Sequence, residues 1–216
     1  MKQTPPLSSP PLKSGARDRI LEAARTLFYR RGVNNVGIDE VIRESGVAKA
    51  TLYHHFSGKD DLILEFMRQG DTYWLDWLKN RTQEKAADPR GQLLALFDTL
   101  AEWFALPGFR GCLLTNVSVA LAEPEHAAHE LLREHKTKVQ HHLRGLAAQA
   151  GAAHPEQLSR QLMLLLEGAT AQARTYADPG VAEEAKNMAR LLLQLSVAED
   201  AQRKSSDGTD SEEAEQ

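Results

Sequence analysis

The sequence predicts an all-α protein, with a small three-helix head that contains a helix-turn-helix and a larger helical body behind it. Three observations lead there. Apolar residues recur at i, i+3, i+4 spacing from Ala16 to Val197, and no alternating run signals a strand. Glycine and proline fall between these runs, at Gly32, Gly46, Pro89, Pro107-Gly108, Gly151, Pro155 and Pro179-Gly180, where helices end or begin. Two of the runs are short and meet at Gly46, and the second, 49–56, has apolar residues on one edge only. With 216 residues, 42% of them hydrophobic, the chain is long enough to bury a sizeable core.

Taken in order, residues 1–15 hold four of the nine prolines (Pro5, Pro6, Pro10, Pro11) and three serines, a composition expected to stay disordered. From Ala16 to Arg31, Ile20, Ala23, Ala24, Leu27 and Phe28 form one helical stripe, which Gly32 ends. Ile38, Val41 and Ile42 form the next stripe; Gly46 supplies the turn and Val47 plugs the corner. A long helix runs from about Lys59 to Lys85, with Asp60 and Asp61 suited to its positive N-terminal end, and joins head to body. In the body, Asp88-Pro89 opens a helix through Trp103 and Phe104, and Gly111 to Leu121 reads as a shorter one. Pro124 is expected to open a helix to about Ala150, and Pro155 another through Ala173. Asp178-Pro179-Gly180 separates that helix from a last one over Val181 to Val197, and the Ser/Asp/Glu-rich stretch beyond should be a solvated tail. The resulting organisation is a leader (1–15), a head (16–60), a body (61–198) and an acidic tail (199–216).

The 38–59 stretch carries the strongest functional signal. Leu52 and Phe56 lie four apart and face inward together, leaving Lys49, Ala50, Thr51, Tyr53, His54 and His55 outward. A small residue for close approach, hydroxyls and imidazoles for base edges or phosphates, and cations such as Lys49 and Lys59 for the backbone suit a DNA groove. From about Arg17 to Leu64 the chain resembles the DNA-binding end of the TetR family of one-component transcription repressors. The resemblance rests on Arg19-Ile-Leu-Glu-Ala-Ala-Arg-Thr-Leu-Phe28, Arg31-Gly-Val33, Gly46-Val47, Thr51-Leu-Tyr-His-His-Phe56 and Lys59-Asp-Asp-Leu62. It implies a double-stranded DNA operator as partner, a small-molecule effector and a homodimer made by the last two long helices. Gly37 and Ala48 depart from the family, which usually has Thr or Ser at the first and often Ser at the second; each loses a side-chain cap worth ~1 kcal/mol.

The body has its own reasons to dimerise. Met163 to Leu166 with Gly168, Ala169, Ala171 and Ala173, and Leu191 to Leu195, wrap apolar surface around much of each helix, with Leu165 and Leu192 as representative interface positions. Tyr73, Trp74, Trp77, Phe97, Trp103 and Phe104 are either plain core or the lining of an effector cavity, with Asn116 and Thr115 among its polar candidates. Cys112, after Arg110-Gly111 at a helix start, is either a small buried residue or a thiol that senses oxidants or electrophiles. His126 and His129 have helical spacing that suits a metal, but read more simply as a solvated helix start.

Composition narrows the classes further. Residues 1–65 hold ten basic and eight acidic side chains and the remainder sixteen and twenty-two, so the formal charge of −4 hides a mildly basic head. Phosphate affinity then depends on where Arg17, Arg30, Arg31, Lys49 and Lys59 point. No apolar run approaches the ~20 residues that span a bilayer, so no membrane partner is expected and the cytoplasm is the expected compartment. One cysteine excludes an intrachain disulfide, and neither a metal nor another cofactor is needed. No nucleophile, base and oxyanion set can be assembled from sequence order alone, so an enzyme is not expected. A helical enzyme is one rival reading, and it leaves the 49–59 surface without a purpose; an interaction protein whose head does not bind DNA is another, and the missing caps at Gly37 and Ala48 keep it open.

Overall fold

The computed structural model describes residues 15–212. All of the expected leader except Gly15, and residues 213–216 of the expected tail, lie outside the described residues. Among the described residues every regular element is helical: α1 (Ala16–Arg31), a 3-10 turn (Val33–Asn35), α2 (Ile38–Ser45), α3 (Lys49–His55), α4 (Lys59–Lys85), α5 (Pro89–Phe104), α6 (Leu113–Ala120), α7 (Ala127–Gln149), α8 (Pro155–Tyr176) and α9 (Val181–Glu212). The chain forms two compact units, one of residues up to Trp77 with Arg110–Lys136, the other of Leu78–Phe109 with Thr137 onward.

In the first unit Ile20, Ala24 and Phe28 of α1, Val41 of α2, Leu52 and Phe56 at α3, and Leu62, Phe66 and Met67 of α4 share one core. Phe28 and Phe66 meet edge to face at 5.7 Å. Two glycines make the corners. Gly32 at φ 80° stops α1 and donates its N–H to Phe28 O, and Gly46 at φ 63° turns α2 into the approach to α3. Leu114 and Val117 of α6 enter the same core, and Asn34 Nδ2 donates to Ala120 O at 2.6 Å, tying the 3-10 turn to the far end of α6.

In the second unit α5 packs on α8 and α9, and α8 on α9. Asp88 caps α5 by accepting from Gly91 N at 2.8 Å; a Cβ on Gly91 would lie 2.7 Å from that carboxylate, so the cap needs glycine there. Arg81 grips Glu102 with Nε at 2.8 Å and Nη2 at 3.0 Å, and Lys85 adds a third contact at 2.7 Å. The Arg81 bonds hold the Glu102 carboxyl below its ordinary range, against burial and with help from Lys85. On α8 and α9 a different apolar set faces outward: Leu164 is 74% exposed with Gly168 and Ala171 along its line, and Leu191 and Leu195 are 61% and 65% exposed beside Met188. The half-buried Leu165 and Leu192 are therefore poorer markers of that face than their neighbours.

Two segments differ from the sequence expectation. Pro124 stands in a turn and does not open α7, because the His126 ring accepts from Ala128 N at 3.1 Å and itself caps the helix at 127. At the other end α9 continues through the stretch expected to be a tail as far as Glu212, since Ala198 to Lys204 is rich in good helix formers.

Neither α2 nor α3 has a side-chain cap, since Gly37 and Ala48 occupy the N-cap positions in extended conformation. Ala48→Ser should therefore stabilise the chain by roughly 1 kcal/mol, as a hydroxyl there reaches the first N–H groups of α3. Urea unfolding of the two proteins measures it, and an unchanged midpoint would mean that water serves those groups equally well.

Candidate nucleic-acid interface

Leu52 and Phe56 anchor α3 in the head core and so decide what it presents outward. Lys49, Ala50, Tyr53 and His54 are exposed, while Thr51, His55 and Lys59 are half-buried along the rim. The His54 and His55 rings meet edge to face at 5.1 Å. Tyr53 is 46% exposed, a large aromatic left in water with a hydroxyl at its tip. Asp61 accepts from Ser57 N at 3.0 Å, which fixes the turn from α3 into α4 and with it Lys59 at the start of that helix. The seven residues expected to face DNA thus lie on α3 and the first residue of α4.

The cations around this face are partly committed within the chain. Lys49 Nζ lies 3.2 Å from Asp39 Oδ1 on α2, both side chains exposed, so the pair is weak and a phosphate can compete for the lysine. Arg31 pairs with Glu40 and donates to Asn35 O at 3.0 Å. Arg17, one of the cations whose direction bears on phosphate affinity, is bound to Glu65 at 2.9 Å and stands 5.4 Å over the Phe56 ring, where it braces the end of α3. Arg30 is exposed on α1.

The residues expected to line an effector cavity fall into separate groups. In the second unit Trp103 and Phe104 pack with Phe109, at centroid distances of 5.0 and 5.1 Å to that ring. In the first unit Trp77 is fully buried core, and Asn116 Nδ2 donates to Arg110 O at 2.7 Å, holding the turn before α6. Trp74 meets the His135 ring edge on at 5.3 Å, and Cys112 is hydrogen-bonded to the same imidazole.

That imidazole belongs to a cluster which sequence order does not reveal. His135 on α7 is 3% exposed and its Nδ1 lies 2.8 Å from Oδ1 of Asp71 on α4, itself 6% exposed. Lys136 Nζ approaches Cys112 Sγ at 3.8 Å, so the cation beside the thiol comes from α7. Burial would push the thiol up, but the bond to His135 and the charge of Lys136 outweigh it and lower the thiol to about 6. Burial would likewise lower His135, and the bonds to Asp71 and Cys112 override it and raise it. One signal could have found this cluster: Asp71 and His135 occupy inward positions between Met67 and Trp74 and between Ala128 and Val139, where a core helix should be apolar. His129, weighed as a metal ligand, instead bonds Ser118 Oγ at 2.6 Å and Glu123 O at 3.0 Å.

A three-helix head that fixes α3 by its apolar edge and turns its polar face outward defines a helix-turn-helix regulator. Residues 20–66 match the family described as "Bacterial regulatory proteins, tetR family", and residues 89–189 match "Tetracyclin repressor-like, C-terminal domain". The chain is 31% identical to SCO4454, a TetR-family transcriptional regulator from Streptomyces coelicolor, over 90% of this chain and all of that one, with a TM-score of 0.78. It belongs to the TetR family. Among curated relatives, the transcriptional repressor KstR2 of Mycolicibacterium smegmatis is 32% identical over 41% of this chain and 43% of its own length. The regulator LmrA of Bacillus subtilis is 30% identical over 55% of this chain and 66% of its own length. These stretches of the curated relatives therefore fall short of two thirds of their length. Among the described residues no helix is long and apolar enough to cross a membrane.

Proposed function

We propose that this TetR-family repressor binds a two-fold DNA operator in the cytoplasm as a homodimer and leaves it when a small-molecule effector binds the body. The outward face of α3 carries the reading: Ala50 permits close approach, Thr51, Tyr53, His54 and His55 reach the groove, and Lys49 and Lys59 meet phosphates. The exposed lines of Leu164, Gly168 and Ala171 on α8 and Met188, Leu191 and Leu195 on α9 support the dimer. Burying a leucine is worth ~1.5–3 kcal/mol, and a second copy of the same two helices offers a self-complementary cover. For the effector, the aromatic group of Trp103, Phe104 and Phe109 in the second unit supplies an apolar wall.

Lys59→Ala should weaken duplex DNA of every sequence alike and lower the salt slope by about one phosphate, while Thr51→Ala or His54→Ala should change sequence preference. Fluorescence anisotropy at several salt concentrations measures both. Unaltered DNA affinity in the Tyr53→Ala, Lys59→Ala double variant would remove α3 from the interface.

Leu164→Glu and Leu191→Glu should each give monomers by sedimentation and lose operator affinity by an order of magnitude or more, because two half-sites roughly 34 Å apart are engaged together. A dimer that persists in both variants would put the interface on another face.

A further inference from the structure

Asp71, Cys112, His135 and Lys136 converge from α4, the start of α6 and α7, and the DNA-reading role of the head leaves them without a purpose. A structural account of this cluster is weak. A nearly buried carboxylate and imidazole cost several kcal/mol to desolvate, and apolar side chains would pack the same space without that cost. The order of groups is that of an activated nucleophile: a thiol, a ring nitrogen bonded to it, and a carboxylate that holds the other ring nitrogen at 2.8 Å. The titratable or charged groups facing the sulfur are His135 and Lys136 of α7, with Asp71 of α4 behind the imidazole. Two cations and one carboxylate favour a thiolate at neutral pH, in keeping with the thiol's position near 6.

We propose that Cys112 is a covalent sensing site, at which the thiolate adds to small apolar α,β-unsaturated carbonyl compounds and the adduct shifts α6 and the turn that leads into the DNA-reading helices. The regulatory consequence rests on the function proposed above; the chemistry at the sulfur does not. In the step, the sulfur lone pair forms an S–C bond to the β-carbon as the C=C π pair moves toward the carbonyl to give an enolate. The proton on the His135 nitrogen facing the sulfur passes to the α-carbon, leaving a neutral imidazole. The net change is addition of S–H across the double bond, with no oxidant and no leaving group.

Three features favour this chemistry over others. The chain has one cysteine, so an internal disulfide has no second thiol, whereas addition needs none. Cys112 is half-buried and its neighbour Leu113 packs against the core, which favours a small apolar electrophile over a charged one. The next residue, Leu113, lies close against α4, where a Cβ on Gly70 would meet its Cδ2 at 3.3 Å, so the start of α6 is closely packed and new atoms on the adjacent sulfur press on it. Its other end is coupled to the head by Leu114 and Val117 in the shared core and by the Asn34 bond to Ala120 O. The displaced helix thus acts on the turn that precedes α2.

Full-length protein is treated with methyl vinyl ketone between pH 5 and 9, and adducts are followed by intact mass for wild type, Cys112→Ser, His135→Gln and Asp71→Asn, with helicity checked for each. The wild type should take one adduct, absent in Cys112→Ser, with a rate half-maximal near pH 6. In His135→Gln the midpoint should move toward the ~8.5 of an ordinary thiol and the rate at pH 6 should fall about tenfold, the stronger intrinsic nucleophile offsetting part of the loss. Asp71→Asn should move the midpoint the same way by less, which keeps the test open if the His135 variant does not fold. A wild-type midpoint above pH 8, or one unmoved in every folded variant, overturns the site. Amide exchange across Val33–Ser45 should quicken in the adduct relative to unmodified protein, and unchanged exchange overturns the coupling to the head. Neither measurement uses DNA, so failure of the operator reading would show separately, as absent duplex binding by unmodified protein.

Discussion

The packing of Leu52 and Phe56 into the head core is the interaction on which the rest of the interface depends. Both are essentially removed from water, at ~1.5–3 kcal/mol each, and together they fix the rotation of a seven-residue helix that has no side-chain cap. A helix that short has little stability alone. Its orientation is therefore inherited from α1, α2 and α4, whose side chains fill the same core. Arg17 adds a brace, since its guanidinium spans Glu65 and the Phe56 ring and so joins the first helix to both α3 and α4. An arginine that looked suited to phosphate is spent on holding the reading helix still.

That commitment bears on how the head recognises DNA. Its balance of charge is only slightly positive, and Lys49 and Arg31 already face carboxylates on α2. Exposed pairs of this kind are worth at most ~1 kcal/mol, so they yield readily to a phosphate, but each exchange strands Asp39 or Glu40 near the duplex. Long-range attraction is correspondingly weak, so in the proposed interface contacts on α3 would have to supply more of the discrimination than in a strongly basic head. Missing caps at Gly37 and Ala48 work in the same direction. With fewer satisfied N–H groups, the two helices sit at the less stable end of the unit, which makes them responsive to whatever binds or shifts beside them.

Much of this was legible in the sequence where local chemistry decides. Pro89 and Pro155 opened helices as their fixed φ requires, Gly32 and Gly46 made the corners that positive φ allows, and the spacing of Leu52 and Phe56 gave the inward edge of α3. Pro124 misled because the His126 ring, an unusual cap, sets the start of α7 three residues beyond it. On α8 and α9 the sequence offered Leu164 and Leu191 together with their half-buried neighbours Leu165 and Leu192, since on helices so apolar the pattern does not say which side is exposed. Arg17 was legible as a cation but not as a brace, because Glu65 and Phe56 approach it only once α3 and α4 have folded back on α1.

The thiol cluster lay beyond local chemistry for a different reason. Asp71 and His135 are 64 positions apart and Lys136 is 24 from Cys112, so no spacing rule links them. Their positions within apolar stripes carried the information: a carboxylate on the core side of α4 needs a partner on whatever packs there, and an imidazole on the core side of α7 can supply it. Once those two are paired, the remaining ring nitrogen has to find a further polar group in the same interior, and the sulfur at the start of α6 provides one. A cysteine that sequence alone leaves open between packing and sensing thus gains polar partners that favour the thiolate through satisfaction of two other buried groups. The same logic explains why this site is coupled to the head: the helix that presents the sulfur is the one whose apolar side completes the head core.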